Sequence, residues 1–138
     1  MTEKYYFDTA IFIYAIERCN ERAKQIITES YQNGKIGTSV ITLMEYITGC
    51  YKKASKKESL QSMTMFNELL TNYGFEVKNI DREVVIVAAQ IRANYPFKQM
   101  DSLQLASAVV AGADVFYTND KQLLQFKNNV LEVRLMES

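Results

Sequence analysis

The chain has 138 residues, sixteen acidic and sixteen basic side chains, and no histidine or tryptophan. Its length and 48% hydrophobic content suit one compact domain, residues 1–138, and exclude a disordered polyelectrolyte. Zero net charge excludes binding nucleic acid by bulk charge, and the missing histidine excludes Ser-His-Asp and Cys-His nucleophiles, histidine-bound zinc and imidazole acid–base chemistry.

Lys4 to Phe7 is an aromatic run that reads as a buried strand. It stops at Asp8-Thr9, a helix-starting pair, after which Ile11, Phe12, Ala15 and Ile16 recur at helical spacing. A second helix spans about Glu21 to Gln32, and Asn33-Gly34 is expected to end it in the left-handed conformation. Ile36 to Thr38 reads as a second strand. Ser39 then caps a helix through Ile41, Met44, Ile47 and Tyr51. Lys52, Lys53, Lys56 and Lys57 cluster where that helix passes into the next, which carries Leu60, Met63, Phe66, Leu69 and Leu70 and stops at Gly74. Glu76 to Ile80 is a third strand, and Asp81 starts a helix through Val84, Val85, Val87, Ala88 and Ile91, with Pro96 marking its end region. Met100 to Ala111 is a further helix, Val115 to Thr118 a fourth strand, Asp120 to Gln125 a short helix and Val130 to Arg134 a last strand.

Strands alternating with helical segments predict crossover connections, hence an α/β fold with a mainly parallel sheet covered on both faces. Such sheets bind ligands at the carboxyl ends of their strands, where strand order reverses. Asp8 follows the first strand and Asp120 the fourth, so the two carboxylates meet if those strands are neighbours.

Each acid has an ordinary reading beside a chemical one. Asp8 serves equally as a helix N-cap or as a site carboxylate. Glu45 lies within Ile41-Thr42-Leu43-Met44-Glu45-Tyr46-Ile47, either exposed on a polar stripe or facing a ligand beside Thr42, Thr48 and Gly49. Asp101 opens a helix, where an acid favours the dipole. Asp120 ends Phe116-Tyr117-Thr118-Asn119-Asp120, with Asn119 as a competing cap. In combination they say more. Crowded carboxylates raise one another's pKa unless a cation neutralises them, and Mg²⁺ or Mn²⁺ takes carboxylate and water oxygens without histidine.

Cys19 and Cys50 have neither zinc-site nor disulfide spacing and are expected as free, mostly buried thiols. No run approaches the roughly 18 apolar residues of a membrane span, and no signal-length apolar stretch opens the chain, so a soluble cytoplasmic protein is expected.

On these residues the chain resembles a PIN domain, and within that family a VapC-type toxin ribonuclease. Phe7-Asp8-Thr9-Ala10-Ile11-Phe12-Ile13-Tyr14 is similar to the family's first motif, and Glu45 falls where the family places its helix glutamate. Asp101-Ser102-Leu103-Gln104-Leu105-Ala106 is similar to its Asp-Ala helix start, with Ser102 where alanine is usual, and Thr118-Asn119-Asp120 matches its final motif. The resemblance implies a three-layer α/β/α fold with a four- to five-stranded sheet and Mg²⁺- or Mn²⁺-dependent cleavage of RNA. It also implies a homodimer and a cognate antitoxin in a type II toxin–antitoxin pair. By the same resemblance Asp8, Asp101 and Asp120 ligate metal, Glu45 completes the acidic shell or orients the attacking water, and Thr118 supports the site or positions substrate.

The lysines at 52, 53, 56 and 57 either hold RNA backbone or form a solvated helix end, and Lys98 and Lys121 are further candidates beside acidic positions. A non-catalytic PIN-like binding module ranks lower, because all four acids are present. A housekeeping nuclease would share the motifs. A haloacid-dehalogenase-type phosphatase needs a second Asp two residues after the first, where Ala10 stands. A receiver domain needs paired acids near its start and a late lysine, and neither pattern is convincing here.

Overall fold

The computed structural model describes residues 2–137. Strands β1 (Glu3–Phe7), β2 (Gly34–Ser39), β3 (Glu76–Lys78), β4 (Val115–Thr118) and β5 (Glu132–Leu135) form one sheet in the order β3-β2-β1-β4-β5. Every neighbouring pair is parallel, so each connection must cross over. Helix α1 (Thr9–Phe12), a π-helical turn (Ile13–Glu17) and α2 (Glu21–Asn33) join β1 to β2. Helices α3 (Val40–Tyr51) and α4 (Lys56–Asn72) join β2 to β3, α5 (Arg82–Asn94) and α6 (Gln99–Val110) join β3 to β4, and a 3₁₀ turn (Lys121–Gln125) leads to β5.

The two faces of the sheet follow from the period of two in β1. Tyr5 and Phe7 enter one core with Ile26, Ile27, Tyr46 and Phe66. Tyr6 enters the other with Val84, Ile91, Leu105 and Phe116. Helices α1 to α4 thus cover one face and α5 and α6 the other, which is the three-layer α/β/α arrangement expected. Tyr5, Tyr6, Phe7 and Phe12 are buried core side chains. Phe7 packs edge-on against Phe12 at 6.3 Å, and Tyr46 stacks on Phe66 at 4.2 Å. Burying one such ring stabilises the fold by roughly 1.5–3 kcal/mol.

Three local expectations change. Gly34 is not a left-handed helix stop: its φ is 178°, and it already belongs to β2 opposite Glu3. A Cβ at this position would collide with the Glu3 carbonyl oxygen, so close approach of β1 is what requires glycine. Gly74, with φ of 63°, does occupy the left-handed region at the end of α4. The first helix does not run on regularly to Ile16; it widens into the π-helical turn after Phe12. The chain then reverses through Cys19 at φ 48°, which leaves that thiol exposed while Cys50 is buried. Asn20 restarts the helix as a cap, accepting from the Ala23 amide at 2.9 Å. Among the described residues no helix is long and apolar enough to cross a membrane.

Helix α6 carries Ser102, Gln104, Leu105, Ala106, Ser107 and Ala108 as buried residues, and its small side chains let it lie close to the sheet. The Ser102 hydroxyl is buried with no hydrogen-bond partner among the described residues. An unpartnered buried hydroxyl costs roughly 1–3 kcal/mol. Ser102→Ala is therefore expected to raise the unfolding free energy by about 1 kcal/mol in urea denaturation. A variant less stable than the parent would show that this hydroxyl is bonded in solution.

Candidate metal centre

Chain order reverses between β1 and β4: from β1 the chain moves one way to β2 and β3, and β4 and β5 lie on the other side. Asp8 leaves β1 at this switch point, Asp120 lies two residues beyond β4, Glu45 sits on the helix that follows β2, and Asp101 is in the first turn of α6. All of them belong to the same end of the sheet.

Asp8 occupies the N-cap position of α1 in extended conformation, but its side chain makes no capping bond. Its Oδ2 instead accepts the Thr118 hydroxyl at 2.7 Å. The same Thr118 oxygen accepts the Asp120 amide at 3.1 Å, so one fully buried hydroxyl ties the loop after β1 to the loop after β4. The backbone adds a further tie, with the Asp8 amide donating to the Tyr117 carbonyl at 2.9 Å. Asp120 does cap: its Oδ1 accepts the Gln122 amide at 3.0 Å. Its ordinary reading as a cap holds, and its charge also acts on Asp101. Glu45 is largely exposed, yet its Oε1 reaches inward to accept the Thr9 hydroxyl at 2.5 Å.

The acids act on one another. Burial pushes the Asp8 carboxyl up to about 6. The Thr118 bond opposes that rise, and the charges of Asp101 and Glu45 add to it. Asp101 is raised as well, first by burial, then by Asp120 and Glu45, with Lys98 offsetting part of the effect. None of the ion pairs among the described residues includes any of these four acids. Within the basic cluster, Lys53 is engaged by Glu17, which also accepts the Tyr46 hydroxyl at 2.6 Å. Lys52, Lys56 and Lys57 are exposed.

The donor chemistry fits a hard divalent cation, because the cluster offers carboxylate oxygens and no thiol or imidazole. Among the described residues no three acidic, thiol or imidazole groups stand close enough to close on one ion. That spacing is compatible with Mg²⁺, which keeps several of its waters and takes one or two carboxylates rather than a full protein cage.

A buried polar array beneath the acids was not anticipated. Gln104, 3% exposed, donates to Thr9 at 3.2 Å and to Thr42 at 2.9 Å and accepts the Ser39 hydroxyl at 2.7 Å. Thr38 donates to the Phe7 carbonyl at 2.8 Å and lies 2.8 Å from the Thr42 hydroxyl. The available signal was a glutamine between Leu103 and Leu105 on a helix otherwise lined with small and apolar residues.

A family profile described as PIN domain matches residues 5–129. Nothing matches among curated protein sequences. A chain of VapBC2 from Rickettsia felis, bound to a DNA fragment from its promoter, superposes with a TM-score of 0.78 at 21% identity, covering 94% of this chain and 98% of that one. A chain of DNA-bound VapBC from Salmonella typhimurium gives 0.76 at 23% identity, covering 98% and 99%. A chain of a toxin–antitoxin complex from Klebsiella pneumoniae gives 0.72 at 23%, covering 92% and 94%. At such identities the likeness establishes the fold.

The raised Asp8 carboxyl has a sign that can be checked. Folding raises its pKa above the ordinary carboxylate value, so the native state binds more protons than the unfolded chain between about pH 4 and 6. Stability therefore falls as pH rises through that window. With divalent ions chelated, Asp8→Asn should be more stable than the parent at pH 8 by roughly 1–3 kcal/mol, and the gain should vanish below about pH 4. Guanidinium denaturation across pH measures this, and a pH-independent difference would contradict the assignment.

Proposed function

We propose, from the premise that the chain belongs to the PIN domain family, that it is a metal-dependent endoribonuclease and the toxin of a type II toxin–antitoxin pair, with residues 1–138 acting as a single nuclease domain. The observation that carries this reading is the convergence of Asp8, Glu45, Asp101 and Asp120 on one sheet end, mutually repelling and outside every ion pair among the described residues.

Asp8, Asp101 and Asp120 would hold Mg²⁺ or Mn²⁺, directly or through water. When bound, the ion supplies Lewis acidity and charge neutralisation at the scissile phosphodiester. Thr118 keeps Asp8 oriented by donating to its Oδ2 and holds the Asp120 loop by accepting that residue's amide. Glu45, bonded on one oxygen by Thr9 and otherwise exposed, is placed to orient a water for in-line attack and to accept its proton. Lys52, Lys56 and Lys57 are exposed and available for phosphate contacts, whereas Lys53 is engaged by Glu17.

The toxin role draws on the fold shared with VapBC chains, which were solved as complexes. By that analogy one partner is a cognate antitoxin; the proposed reading adds an RNA substrate and a second copy of the chain, in the cytoplasm. A housekeeping PIN nuclease would use the same chemistry. A non-catalytic module is disfavoured, since a binding scaffold has no use for four carboxylates held against their own repulsion.

The pure protein should cleave single-stranded RNA in Mn²⁺ or Mg²⁺ and not in chelator. Asp8→Ala and Asp101→Ala should each lower the rate at least about 100-fold. Full activity in either variant would overturn the mechanism. Induced expression should arrest growth with the parent sequence and not with Asp8→Ala. Cleavage in vitro without growth arrest would favour the housekeeping reading.

A further inference from the structure

Gln104 has every polar atom of its amide engaged although it lies in the interior, far from any helix end of its own. The direction of each bond follows from the number of protons available. Ser39 caps α3 by accepting the Ile41 amide at 3.1 Å, so its own proton is free to go to the Gln104 Oε1. That fixes which way the amide faces, and both N–H groups of Gln104 turn to Thr9 and Thr42. A threonine hydroxyl that accepts from Gln104 keeps one proton to give. Thr9 gives its proton to the Glu45 Oε1. Thr42 lies 2.8 Å from Thr38, whose proton goes to the Phe7 carbonyl, and also 3.2 Å from the Thr9 hydroxyl, so the two branches touch.

We infer that Gln104 is a positioning residue for the metal centre: by donating to Thr9 it leaves that hydroxyl's proton for the Glu45 carboxylate at 2.5 Å, which is nearer than the Thr42 hydroxyl at 3.2 Å, and so holds that carboxylate over the site. The inference rests on the proposed metal-dependent reading and adds to it a residue from the buried middle of α6, which touches neither substrate nor ion. Glu45 needs such a constraint. It is exposed, whereas Asp101 is half-buried, and in the absence of a bonded hydroxyl a glutamate on a helix surface samples several rotamers. Groups that orient a metal ligand typically alter metal affinity 10- to 100-fold when removed. Thr42 is an equally buried hydroxyl on the same amide that bonds Thr38 at 2.8 Å and lies 3.2 Å from Thr9, so it touches the chain at Thr9 without itself reaching Glu45.

The test is calorimetric titration of the metal-free protein with Mn²⁺, with melting temperature recorded for every variant. Gln104→Met, of similar volume and unbranched, should weaken Mn²⁺ binding about tenfold. Gln104→Leu serves the same purpose should the methionine variant fail to fold. Thr9→Val should weaken binding equally, and Thr9→Ser should restore it to within about twofold of the parent. The double variant Thr9→Val with Gln104→Met should bind no more weakly than either single one, since both break one chain of bonds. Thr42→Val, which leaves the Gln104–Thr9 and Thr9–Glu45 bonds in place, should lose thermal stability and weaken Mn²⁺ binding less than Gln104→Met does. Parent-like affinity in a folded Gln104 variant would overturn this role alone, as would an equal loss in Thr42→Val or additive losses in the double variant. A parent protein that binds no Mn²⁺ would overturn both this role and the metal-dependent reading.

Discussion

Like charges gathered in one place repel, and the architecture of this chain is arranged around that repulsion. Asp8 is raised by its own burial and by the charges of Asp101 and Glu45, and Asp101 is raised by burial, Asp120 and Glu45. Each acid arrives from a different segment: the loop after β1, the helix after β2, the start of α6 and the loop after β4. A fold would not bring them together for stability, because each deprotonation makes the next harder. The parallel order β3-β2-β1-β4-β5 brings them together anyway, since it sets the carboxyl ends of β1 and β4 side by side.

The opposing forces are neutral hydrogen bonds rather than ion pairs. Thr118 donates to Asp8 and Thr9 to Glu45, and both residues are buried. Behind Thr9 stands Gln104, and behind Gln104 stands the Ser39 cap of α3. Neutral donors steady a carboxylate without cancelling its charge, which leaves that charge available to a cation. A lysine in the same position would have filled the role of the metal. Lys98 offsets Asp101 only in part, and Lys53 is engaged by Glu17.

How much of this was legible in the sequence varies with the physics involved. The strands were readable because burial on both faces leaves a continuous apolar run such as Tyr5-Tyr6-Phe7, whose alternate side chains then divide between the two cores. The acids were readable as a set because their positions after strands and at helix starts follow from the crossover topology. Their individual duties were not. Whether Asp8 caps a helix or turns to Thr118 depends on a side-chain torsion, and only Asp120 turned out to cap. Gly34 shows the same limit, for its glycine answers a contact with Glu3 that lies 31 residues away and not the local helix end. Gln104 was visible as an oddity among leucines and alanines, but its partners come from three other segments, and no local spacing reports them. The exposed Cys19 went unseen because a π-helical turn cannot be told from an α-helix by apolar periodicity over so few residues.

The central claim is that these carboxylates exist to hold a divalent cation. An anomalous difference map from a crystal of the protein grown with Mn²⁺ tests it most directly. The account predicts a manganese peak at the carboxyl ends of β1 and β4, with Asp8 and at least one of Asp101 and Asp120 as ligands directly or through water. Saturating Mn²⁺ with no peak there, or with the ion held only by acids elsewhere on the surface, would contradict it.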